Sequence, residues 1–128
     1  MDKIIDGLYL GDIRVAANLF MLKQAGITHV LQIVAGLNPC FPNDFVYKVV
    51  PALDVPWENL AKHFGTCNKF ISNVIHNNGS VFVHCYGGVS RSPTIVIAYL
   101  MQEHKMNFFS ALNFVRQRRP VTYPNAGF

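Results

Sequence analysis

The stretch His84-Cys85-Tyr86-Gly87-Gly88-Val89-Ser90-Arg91-Ser92 decides how this chain is read. Five residues, two of them glycine, separate a cysteine from an arginine. On its N-terminal side, Ser80-Val81-Phe82-Val83-His84 is β-branched and aromatic and is entered through Asn77-Asn78-Gly79, which predicts a buried strand. On its C-terminal side, Arg91 through Glu103 predicts a helix. Pro93 stands near its start, where a missing N–H is tolerated, and Ile95 to Met101 is apolar nearly all round. A glycine-bearing loop that ends on a helix N-terminus turns backbone N–H groups and the positive end of the macrodipole into its own concavity. Such a cradle seats an anion, and it favours the thiolate form of a cysteine at its lip.

Arg91 adds a planar guanidinium that can hold two phosphate oxygens through paired, charge-assisted hydrogen bonds. Cys85 becomes a nucleophile beside a phosphate seat built from Arg91 and the amides of Tyr86, Gly87, Gly88, Val89 and Ser90. The chemistry implied is transfer of a phosphoryl group to sulfur.

Outward from this loop, strands around Leu8–Leu10, His29–Val34, Val46–Val50 and Val81–His84 alternate with helical stretches. That order predicts an α/β fold, a mostly parallel central sheet flanked by helices. Leu60, Phe64, Cys67, Phe70, Ile71, Val74 and Ile75 recur at helical spacing, predicting a helix over Leu60–His76. Another starts at Asn107 and ends at Pro120. With 128 residues, 51% of them hydrophobic, there is room for one core and little ground for disorder. No repeat, linker or low-complexity tract divides the chain.

The chain resembles the cysteine-dependent protein tyrosine phosphatase superfamily, and within it the small, atypical dual-specificity phosphatases. Cys85 through Ser92 carries the likeness. Asp6-Gly7-Leu8-Tyr9-Leu10-Gly11 is similar to the family's opening strand and turn, with a helix from about Arg14 to Gln24 after it. Gly26 to Leu31 is similar to its next strand, and Arg119-Pro120 with Pro124-Asn125-Ala126-Gly127-Phe128 to the segment leading into its last helix. The resemblance implies a catalytic domain over residues 1–128 that lacks the family's final helix, leaving apolar surface open near the sheet.

Such an enzyme needs a proton donor for the departing oxygen, on a loop facing the cradle. Asp44 sits in the turn Pro42-Asn43-Asp44, and Glu58 approaches a helix where the macrodipole favours an acid. Asp54, in Pro51-Ala52-Leu53-Asp54-Val55-Pro56, precedes Cys85 by a spacing similar to the family's, and it is the candidate general acid; the plainer reading is a solvated loop carboxylate. The Ser92 hydroxyl is placed to bond the sulfur and help it leave, unless it only satisfies donors at a helix start. The resemblance gives His84 a part in ordering the loop, beside its reading as a core imidazole. It gives Asn125 a part in bracing the cradle, beside its reading as a turn residue. Cys40 and Cys67 read as inert small hydrophobes. They form no Cys-x2-Cys pair, and no histidine stands at ligand spacing, so neither metal nor cofactor is expected.

The net charge is +4, with Arg116, Arg118 and Arg119 clustered at the end of one helix. Favourable charge at a helix C-terminus explains them, with a surface for acidic or anionic partners as the sharper alternative. No nucleic-acid motif accompanies them. An odd cysteine count without a signal peptide fits a reducing compartment, and Met1-Asp2 lacks the glycine for myristoylation, so no stable membrane association is expected. Cytoplasm, with access to the nucleus, is the expected location. The expected partners are phosphorylated proteins, with phosphate, sulfate or vanadate able to occupy the loop. No lysine lies within the loop, which argues against a phosphoinositide substrate. The alternative to an enzyme is a phosphoprotein-binding, pseudophosphatase-like domain; the presence of Cys85, Arg91 and Asp54 argues for the enzyme.

Overall fold

A computed structural model describes residues 1–128. Five strands form one sheet in the order β1-β2-β5-β3-β4, with β1 Asp2–Ile5, β2 Leu8–Gly11, β3 His29–Ile33, β4 Val46–Val50 and β5 Val81–His84. Only β1 and β2 pair antiparallel; β2 with β5, β5 with β3 and β3 with β4 are parallel. β1 extends the predicted sheet by one strand. Asp6 and Gly7 make its hairpin turn, with Gly7 at φ +83°, a left-handed conformation that favours glycine.

β5, the last strand in sequence, is inserted at the centre of the sheet, and all four of its residues are buried. Successive side chains alternate between faces. Val81 and Val83 enter the larger core with Ile71, Ile95 and Leu100, while Phe82 enters a smaller one with Ala16, Leu22, Val30 and Phe45. The larger core lies beneath α3 (Phe64–His76), α4 (Arg91–Glu103) and α5 (Phe108–Arg118). α4 runs between the other two, so Ser92 to Ile97, Tyr99 and Leu100 are all buried, as the all-round apolar pattern predicts.

Two helical expectations change. The stretch from Arg14 to Gln24 is two short helices, α1 (Ile13–Ala16) and α2 (Leu19–Gln24). Asn18 interrupts them because its side chain accepts the Met21 N–H at 3.1 Å, capping α2 afresh. The Leu60–His76 stretch opens with a 3-10 turn over Leu60–His63 before α3 proper begins. No helix is long and apolar enough to cross a membrane. Because β5 is central and parallel to both neighbours, its C-terminal end opens onto the crevice where α/β sheets place their ligands. Cys85 is the next residue.

Candidate active site

Cys85, 2% exposed, places its sulfur at the floor of the loop. Gly88 N lies 3.2 Å from it and donates, and Ser92 Oγ lies at 3.1 Å. With the sulfur ionised, the Ser92 hydroxyl is necessarily the donor of that second bond. Tyr86, Gly87 and Val89 are exposed at the rim, whereas Gly88 and Ser90 are buried.

Each carbonyl from Cys85 to Ser90 is engaged on the outside of the loop. His84 Nδ1 meets Cys85 O at 3.1 Å. Ile13 N donates to Tyr86 O at 2.9 Å and Tyr123 N to Val89 O at 2.7 Å. Arg119 donates from Nη2 to Gly87 O at 3.2 Å and from Nε to Gly88 O at 2.7 Å. Ser90 O accepts both the Thr94 N–H, at 3.0 Å, and the Thr94 hydroxyl, at 2.7 Å. In a trans peptide the N–H points away from the C=O, so carbonyls drawn outward aim the amides inward. The concavity is lined with donors at the N-terminus of a thirteen-residue helix, an anion site on both counts.

Arg91 is anchored by one corner. Its Nη1 donates to Ala52 O at 2.9 Å, while its buried Nε has no partner within the protein. That leaves the edge formed by Nε and the second terminal nitrogen available for two oxygens of one phosphate. Ala52 lies in the loop that carries Asp54, two residues before it, so one contact ties the arginine to that loop. Glu58 closes that loop by accepting the Leu53 N–H at 2.7 Å, a structural task that separates it from Asp54. Asp44, in the turn before β4, pairs with Lys23 at 3.0 Å. Asp54 is exposed, and its Oδ1 accepts from Asn125 Nδ2 at 3.2 Å. The Asn125 backbone N–H donates to Ser90 Oγ at 2.7 Å, and its Oδ1 accepts the Gly127 N–H at 2.8 Å. Asn125 therefore makes its own turn and also ties the Asp54 loop to the cysteine loop.

His84 is fully buried, its ring stacked on Phe82 with centroids 5.4 Å apart. Burial pushes its pKa below the ordinary histidine value, against the opposing pull of its Cys85 carbonyl bond and of Asp12. A neutral ring facing a carbonyl must carry its proton on Nδ1, leaving Nε2 as an acceptor without a partner. Cys67 is buried in the core, and that burial pushes its thiol up to about 11, whereas Cys40 is exposed.

A family model described as "Dual specificity phosphatase, catalytic domain" matches residues 8–128. The chain belongs to the dual-specificity phosphatase family. It is 48% identical over 125 residues to dual specificity protein phosphatase 1 of Arabidopsis thaliana, covering 98% of this chain and 63% of that protein. The chain thus spans less than two thirds of that relative's length. The human tyrosine phosphatase-like serine/threonine/tyrosine-interacting protein superposes with a TM-score of 0.96 at 36% identity, over 99% of this chain and 89% of that one. A mouse dual-specificity phosphatase described as putative, crystallised with zinc tungstate, superposes at 0.93 with 28% identity, over 98% of this chain and 79% of that one.

Within this dual-specificity phosphatase domain, several working residues escape sequence reasoning. Arg119 reads as one of three cations ending α5. Arg116 and Arg118 keep to that end, donating to Thr122 O and Phe114 O. Arg119 instead turns inward, its side chain 11% exposed, and grips the loop. Ile13 N, Ala52 O and Tyr123 N act through their backbones, which no side-chain pattern reveals. Gly88 did carry a signal as a loop glycine: at φ +66°, a Cβ there would stand 2.5 Å from Arg119 Nη2 and 2.6 Å from Gly11 O.

Proposed function

We propose that this chain hydrolyses phosphate monoesters on proteins, phosphotyrosine as well as phosphoserine and phosphothreonine, through a phosphocysteine on Cys85. The observation that carries this reading is the Cys85 sulfur accepting from Gly88 N, with Ser92 Oγ 3.1 Å away, at the floor of a loop whose carbonyls are each engaged by an outside donor. In the first step the sulfur attacks phosphorus, the S–P bond forms, and the P–O ester bond breaks as Asp54 gives its proton to the departing oxygen. In the second, Asp54 takes a proton from water. The water oxygen bonds phosphorus, the S–P bond breaks, and the thiolate returns with Ser92 donating to it. Arg91 and the amides of residues 86 to 91 hold the three non-bridging oxygens through both transition states, so the scheme calls on no metal or cofactor. His84 and Asn125 hold the loop rather than touch the phosphate. Phosphorylated proteins in the cytoplasm and nucleus are the substrates this reading implies.

Likeness to the human serine/threonine/tyrosine-interacting protein favours a second reading, phosphoprotein binding without turnover. One experiment separates the two: hydrolysis of an aryl phosphate with chelator present, by the native chain and by Cys85→Ser and Asp54→Asn. Native turnover, abolished in Cys85→Ser and reduced about 10²-fold or more in Asp54→Asn, supports the enzyme. Vanadate binding without native turnover supports the binding domain.

A further inference from the structure

We infer that Arg119, held by Asp2, is a positioning residue for the Cys85 thiolate and its phosphate, an inference that deepens the phosphatase reading and rests on it. All three nitrogens of the Arg119 guanidinium are committed. Nη2 reaches Gly87 O at 3.2 Å, Nε reaches Gly88 O at 2.7 Å, and Nη1 pairs with Asp2 Oδ2 at 2.9 Å. The first contact acts directly on the nucleophile. Gly87 C=O and Gly88 N–H belong to one peptide plane and point oppositely across it. Pulling that carbonyl toward Arg119 aims the Gly88 N–H at the Cys85 sulfur, where it bonds at 3.2 Å. The second contact does the same one peptide on: with Gly88 O on Arg119, the Val89 N–H is turned into the concavity where phosphate sits.

Arg119 reaches across from the end of α5, and Asp2 lies on β1, in register with Leu10 of β2. The fork therefore ties two separate parts of the chain, the end of α5 and β1, to two consecutive peptide planes of the loop. Its rigidity is what the task requires, since five donors in one plane can hold two carbonyls and a carboxylate at once. A lysine ammonium at the same place supplies the charge but cannot reproduce that geometry. Gly88 completes the device, because any side chain there would meet the guanidinium.

The test uses the full chain with Asp2→Asn, Asp2→Glu, Arg119→Lys and Arg119→Ala, and Asn107→Ala as a control that destabilises α5 away from the loop. Three quantities are read on folded protein: iodoacetamide alkylation of Cys85, vanadate affinity, and kcat against KM on an aryl phosphate. Misaiming one oxyanion donor should slow alkylation and weaken vanadate by about tenfold in Arg119→Lys and Asp2→Asn, with kcat falling more than KM rises. Asp2→Glu should recover part of each, and Asn107→Ala should leave all three within twofold of native. Lowered thermal midpoints with native alkylation and vanadate affinity would reduce Arg119 to a staple between β1 and α5 and overturn the inference. Should Arg119→Ala fail to fold, Arg119→Lys and Asp2→Asn decide. A native chain that does not turn over defeats the phosphatase reading alone, because alkylation and vanadate affinity still report on the loop.

Discussion

What the Ser92 Oγ contributes, 3.1 Å from the Cys85 sulfur, depends on whether that sulfur is a thiol or a thiolate. As a thiol, Cys85 gains little from it. As a leaving thiolate, it gains a hydrogen bond to a charged group, worth about 1.5–3 kcal/mol. Ser92→Ala should therefore slow the second step on the order of tenfold or more, and a pre-steady-state burst of aryl alcohol should appear. Unchanged kcat with no burst would leave Ser92 as a helix-start residue only. The three cysteines should separate just as sharply in reactivity. Cys67, buried with its thiol raised to about 11, should resist iodoacetamide near neutral pH, while Cys85 should react fastest and be protected by vanadate. Equal alkylation of Cys67 and Cys85 in native protein would contradict the donor-lined cradle.

Elements position the site through their ends more than through their middles. α1 is only four residues long, yet its first N–H, from Ile13, holds Tyr86 O, and Asp12 fixes that end by accepting from Arg14 N and Val15 N at 3.0 and 3.1 Å. α5 works from its other end, where Arg119 follows its last turn. Its start is capped by Asn107, which accepts the Ser110 N–H at 2.8 Å. Asn107→Ala should cost about 1 kcal/mol, read as a lower thermal midpoint. Because Arg119 follows the opposite end, turnover at low temperature should be retained. Loss of turnover in step with stability would mean that fraying at the start of α5 propagates to the loop. The predicted helix over Asn107–Pro120 agrees with α5 because asparagine before an amphipathic run is a start signal with a local mechanism. The single helix expected from Arg14 to Gln24 fails for the same kind of local reason, a side chain at Asn18 that bonds the backbone ahead of it.

Across the whole molecule, burial of titratable groups sets a pH window for stability. His84 and His29 are both pushed below the ordinary histidine value by burial, so beneath about pH 6.5 the unfolded chain binds more protons than the folded one. Stability should fall as pH drops through that value. On the alkaline side burial raises Cys67 from 9.0 to about 11 and also lifts Tyr99 and Tyr47. There the unfolded chain releases protons first, and stability should fall again as pH rises past 9. Urea midpoints at pH 5.5, 7.5 and 9.5 should peak at 7.5; a midpoint that rises on going to 5.5 would show that the histidines do not dominate. The two cores meet at β5, so Phe82→Ala, which opens the smaller core and unstacks His84, should cost about 3–5 kcal/mol.

By itself the sequence determined whatever depends on neighbours along the chain. Strand β5, the loop from Cys85 to Ser92, buried helix α4, and hence the α/β class and the proposed nucleophile are all encoded within some twenty consecutive residues, because turn chemistry, β-branching and an apolar run act over that distance. The insertion of β5 between β2 and β3, the contact of Arg91 with Ala52, the Asn125 bridge between Ser90 and Asp54, and the grip of Arg119 and Asp2 on the two glycine peptides were decided only by tertiary structure. Those contacts join residues far apart in sequence, several through backbone atoms that every residue possesses. Their partners are chosen by where the packed sheet and helices bring the chain, and not by any pattern written along it.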